Sequence, residues 1–90
     1  MAAPKLIFST PAEIKLFRRK NEMSQAEFWS RIGVTQSGGS RYESGRSIPR
    51  PVQQLLHVVY APDARSQRLV DYLRTWKAPA EAEAEAESEA

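Results

Sequence analysis

The chain has no cysteine, a single histidine and no run of apolar residues long enough for a signal peptide or a membrane span. Without cysteine there is no disulfide framework, no thiolate metal site and no cysteine nucleophile. The longest apolar stretches fall far short of the roughly 20 residues that a spanning helix needs, and the expectation is a cytoplasmic protein. His57, isolated from any cluster of carboxylates, reads as a surface or packing residue rather than a metal ligand or general base. No set of catalytic residue types recurs at usable spacing. The expectation is therefore a protein that is not an enzyme and needs no cofactor.

What the chain does have is charge, unevenly placed. Five glutamates (Glu81, Glu83, Glu85, Glu87 and Glu89) stand at alternate positions near the end; without them the net charge of +2 becomes +7, thirteen basic residues against six acidic. Such a body attracts polyanions, and an acidic tail joined to it can fold back over the same surface. A merely solvated surface would look similar, so motifs have to decide. Ninety residues make one small domain, which buries only about 60% of its unfolded surface and gains from a partner subunit.

The pattern divides the chain into an extended arm (1–9), a helical domain (10–77) and an Ala/Glu tail (78–90) expected to be disordered. In the arm, Lys5 to Ser9 is a short apolar run with β-branched and aromatic members, either extended or a strand that pairs with its copy in a dimer. Thr10-Pro11-Ala12-Glu13 then supplies an N-cap, a proline at the first helical position and a glutamate at the third, which start a first helix. Ile14 and Phe17 give that helix its apolar face, and Met23 is placed to staple the next one.

Ser24-Gln25-Ala26-Glu27 is a second capping box and opens a helix over 25–32. Gly33 ends it, Thr35 caps a third helix from Gln36 to about Ser44, and Gly45 ends that one. Two helices with a tight turn between them, within about 23 residues, are the layout of a helix-turn-helix reader of DNA. After the loop at Ser47 to Pro51, residues Val52, Leu55, Leu56 and Val59 match the spacing of an amphipathic fourth helix ending at Tyr60. A fifth, from Asp63 to about Trp76, carries Leu69, Tyr72, Leu73 and Trp76 on one stripe. The fold class is all-α.

The segments Ser24 to Glu27, Gly33-Val34-Thr35-Gln36-Ser37 and Arg41-Tyr42-Glu43-Ser44-Gly45-Arg46 resemble the Cro/repressor-type, or XRE-like, helix-turn-helix family over about residues 12 to 60. The resemblance implies a five-helix, lambda-repressor-like domain that binds operator DNA as a homodimer, with the motif's second helix in the major groove. Carried over by position, Gln36, Ser37, Ser40 and Arg41 face the bases, while Gln25, Thr35, Ser44 and Arg46 contact phosphates. The chemistry agrees, since Gln pairs with adenine, Arg with guanine, and Ser with either kind of pair. An ordinary polar helix face is the competing account; the capped motif and the basic body weigh against it. Arg50 is either a further phosphate contact or simply solvated. Arg18 and Glu43 match a family ion pair, read as an exposed link that orients the third helix and contributes about 0–1 kcal/mol.

Two positions depart from the family. Trp29 stands where a small residue is usual in the second helix, and Gly39, after Gly38, stands where Ile or Val is usual in the third. Each glycine costs a helix interior about 1 kcal/mol relative to alanine. The expectation is compensation, with the Trp29 indole filling the volume vacated at Gly39. Gly38 also permits close approach of backbone to DNA.

The resulting expectation is a sequence-specific transcriptional repressor that binds a palindromic operator as a homodimer, through helix five or through the arm. Two other readings remain open: an antitoxin that also binds a protein toxin, and an adaptor that binds no DNA.

Overall fold

The computed structural model describes residues 3–76, and these form five α-helices. They are α1 (Pro11–Lys20), α2 (Gln25–Ser30), α3 (Gln36–Glu43), α4 (Arg50–Tyr60) and α5 (Asp63–Leu73), followed by a 3-10 turn at Arg74–Trp76. The Ala/Glu tail lies outside the described residues. Among the described residues, no helix is long and apolar enough to cross a membrane.

Local chemistry sets the helix starts. Thr10 and Glu13 form a complete capping box at α1, Ser24 and Glu27 form another at α2, and the Thr35 hydroxyl accepts the Gly38 amide at α3. The capping carboxylates of Glu13 and Glu27 are held below the ordinary carboxylate value, first by the bonds they accept from Ser9 and Ser24 respectively. Neither α4 nor α5 has a side-chain cap; each follows a proline at the cap position, Pro49 or Pro62.

The ends of the first three helices share one device. In each, paired amides fold back on the last turn: Glu22 and Met23 onto Arg19 and Arg18, Gly33 and Val34 onto Ser30 and Trp29, Gly45 and Arg46 onto Tyr42 and Arg41. That closure needs a left-handed residue, supplied by Gly33 (φ 78°), Gly45 (φ 114°) and, without glycine, by Glu22 (φ 55°). The closing turn at 31–33 is why the α-helical span of α2 stops at Ser30 rather than Ile32. Likewise, the fifth helix tightens to 3-10 geometry after Leu73 instead of continuing to Trp76.

Phe8, Ile14, Phe28, Trp29 and Leu56 form the buried core, ringed by Phe17, Val34, Tyr42, Val52 and Tyr60. Phe28 stacks on Tyr60 at a centroid distance of 4.3 Å, and the Tyr60 hydroxyl donates to the Phe28 carbonyl. Each such fully buried side chain contributes about 1.5–3 kcal/mol of transfer free energy.

The arm belongs to this core. Phe8 is buried edge-on against Phe17, the Ile7 amide donates to Nδ1 of His57 at 2.9 Å, and Arg65 donates to the Lys5 carbonyl. His57 is fully buried, and its Nε2 faces the Arg65 carbonyl at 3.1 Å, so the neutral Nε2–H tautomer satisfies both partners. The histidine therefore joins the arm, α4 and α5 as a packing residue. Residues 3–9 form no strand; the anchored arm is irregular.

Candidate nucleic-acid interface

α2 and α3 are joined by the tight turn at 31–35, and α3 turns one face to solvent and the other to the core. Gln36, Ser37 and Arg41 are exposed and Ser40 is half-buried, all on the outer face. Together with Gln25, the first residue of α2, these four side chains border one open, shallow depression. The structure thus brings together all four base-facing candidates and one phosphate candidate.

The other phosphate candidates lie at the ends of α3. Thr35 caps the helix, and its hydroxyl accepts from Gly38, which leaves the hydroxyl proton available to a ligand. Ser44 has its proton committed, since its hydroxyl donates to the Ser40 carbonyl at 2.8 Å. Arg46 is exposed just beyond the Gly45 turn, and Arg50 is exposed at the start of α4.

The inner face of α3 is built on Glu43. Its carboxylate takes the Arg18 guanidinium side-on, with Nη2 to Oε1 at 2.9 Å and Nε to Oε2 at 3.1 Å, while Arg18 Nη1 donates to the Met23 carbonyl. This pair is not exposed: the Glu43 side chain is buried, only 1% accessible, and Arg18 is half-buried beside it. Burial changes its energetic role: leaving the Glu43 carboxylate without Arg18 costs about 3–5 kcal/mol, far above the value for a surface pair. Burial pushes the Glu43 carboxyl up, but the bonds from Arg18, Trp29 and Gln25 outweigh it and hold the group below the ordinary carboxylate value.

Trp29 completes the arrangement. Its indole Nε1 donates to Glu43 Oε2 at 2.8 Å, and its ring is fully buried between Phe28 and Tyr42. A Cβ placed on Gly39 would stand 2.2 Å from Cδ1 and 2.3 Å from Cγ of that indole. The ring therefore lies directly on bare α3 backbone. At Gly38 an added Cβ would meet only Val34 and Thr35, at 3.2 and 3.3 Å.

Glu43 as the shared acceptor for Arg18, Trp29 and Gln25 was not visible in the sequence. Those donors lie 25, 14 and 18 residues away, and only the packing of α1 and α2 across α3 makes them neighbours.

A compact helical domain with two capped helices across a tight turn, and a polar outer face on the second, is a helix-turn-helix DNA-binding domain. A family model described as the RsaL-like HTH domain matches residues 15–59, half of the chain. The chain belongs to that family. No curated protein and no solved structure matches it significantly.

Proposed function

We propose that the chain is a sequence-specific transcriptional repressor that binds a palindromic operator as a homodimer, with α3 in the major groove. The observation that carries this reading is the single depression bordered by Gln25, Gln36, Ser37, Ser40 and Arg41. It combines base-edge donors and acceptors with a phosphate donor on one surface. The Cro/repressor-type resemblance supplies the individual assignments, with Thr35 and Arg46 flanking the base-reading set on the backbone, and with Ser44 joining them only by giving up its bond to the Ser40 carbonyl. Trp29 and Arg18 support α3 from below, at Gly39 and Glu43.

The dimer seam is best assigned to the C-terminal helices. Trp76 is 72% exposed and Leu73 40%, and α4 adds exposed Leu55 and Val59. The arm is the weaker choice, because Phe8 already serves its own core.

Selection of bound duplexes from a random pool, with and without residues 78–90, tests the reading together with a salt titration and a solution mass. The expected result is a two-fold symmetric consensus, a dimer, and an affinity that falls steeply with salt. A tail that folds over the basic body would raise non-specific binding at low salt when removed. No DNA binding even at low salt would return the chain to the adaptor class, and copurification with a small protein partner would favour the antitoxin.

A further inference from the structure

Gln25 is shared between two surfaces. It borders the depression on the outside of the motif, yet its Nε2 also donates inward to Glu43 Oε1. That inward bond is 3.4 Å long, against 2.9 Å for Arg18 and 2.8 Å for Trp29 on the same carboxylate. A bond at the edge of hydrogen-bonding distance is weak, whereas a phosphate oxygen would accept from the same amide at shorter range with a charge-assisted bond. Giving up the inward bond leaves Glu43 satisfied, since Arg18 and Trp29 still donate to both of its oxygens. The exchange is therefore cheap at the core and favourable at the surface.

We propose that Gln25 is an exchangeable hook, resting on buried Glu43 in the free protein and passing to a DNA phosphate on binding, so that backbone contact is felt at the Trp29 indole beneath α3. Glu43 and Trp29 are positioning residues in this scheme; neither touches DNA. Released from Gln25, the carboxylate leans on its remaining donors, and one of them is the indole that supports the recognition helix at Gly39. The inference rests on the DNA-reading function proposed above.

The test uses the indole N–H resonance of Trp29 in the ¹⁵N-labelled full chain. The chain has two tryptophans, and a Trp76→Phe sample serves only to assign the Trp29 resonance, the titrations themselves using the parent chain. Titration with a random-sequence duplex at low salt should move this resonance. Gln25→Ala in the free protein should move it in the same direction, and DNA should then add less than about a third of the original change. Gln25→Ala should also weaken binding by about three- to tenfold on every duplex, the range for one net hydrogen bond. Because Gln25 is neutral, the slope of affinity against salt should stay unchanged.

A duplex that shifts the amides of α3 while the indole stays still overturns the hook and leaves the DNA reading intact. The hook also fails, again without harm to the DNA reading, if DNA moves the indole equally with and without Gln25. Absence of duplex binding by the parent chain overturns the DNA reading and the hook together.

Discussion

Replacing Gly39 by alanine should destabilise the domain although alanine is the better helix former. The backbone of α3 gains about 1 kcal/mol from helix propensity. Against this, the new methyl would stand 2.2–2.6 Å from Cδ1, Cγ and Nε1 of the Trp29 indole. Cγ and Cδ1 lie at the root of the side chain, not at a flexible end, and the ring packs against Phe28 and Tyr42. Overpacking of this kind costs about 1–3 kcal/mol. Moving the ring also strains the 2.8 Å bond to Glu43, and a hydrogen bond to a buried charge contributes about 1.5–3 kcal/mol. The net loss is about 1.5–5 kcal/mol, and at about 4–8 °C per kcal/mol for a domain of this size the melting temperature should fall by at least about 6 °C. Thermal unfolding followed by far-UV circular dichroism measures this, with Gly38→Ala as the control. That control should stay within about 1 kcal/mol of the parent, because a few tenths of an ångström relieve its contacts with Val34 and Thr35. A Gly39→Ala domain as stable as the parent would refute the packing of Trp29 on α3.

Arg41→Ala should cost about 1–3 kcal/mol on the preferred duplex and relax one base position, whereas Arg46→Ala should weaken all duplexes alike and reduce the salt slope by about one; competition binding over a salt series separates them. Glu43 has its folded pKa below the ordinary value of 4.5, so the unfolded chain takes up the proton first. Its contribution is complete at neutral pH and is lost as pH falls below that value; urea unfolding over a pH series should show the step, and Glu43→Gln should lack it. Glu22→Gly should stabilise the domain by about 0.5–1 kcal/mol, since relief of a left-handed side chain exceeds the added glycine entropy, and a lower melting temperature would contradict it.

Much of the motif was legible in the sequence because its signals are local. Thr10 with Glu13, Ser24 with Glu27, and the glycines at 33 and 45 each act within a few residues, and the geometry follows the expected caps. The left-handed Glu22 gave no such signal, because only the closure of α1 onto Arg18 and Arg19 demands it there. The arm and His57 were illegible for a related reason. Their contact joins residues 50 apart, and a single histidine carries no pattern by which its partner can be found. The buried setting of Arg18 and Glu43 was likewise hidden, since sequence spacing shows that two charges can meet but not how much water is left around them.

Trp29, Gly39 and the ion pair of Arg18 and Glu43 look separate along the chain, yet the structure makes them one unit. An indole fully buried beneath a helix needs an acceptor for its N–H. Glu43 is that acceptor, and a buried carboxylate in turn needs Arg18. Gly39 lets the ring approach α3 closely enough for the bond to form. Restoring a branched residue at 39 while keeping Trp29 would overpack the site, and shrinking Trp29 alone would leave both a cavity and an underused buried charge. Trp29→Leu combined with Gly39→Val should therefore be less damaging than the sum of the single changes, by about 1 kcal/mol or more. Additive losses would mean that the two positions are independent, and that α3 is held without the indole.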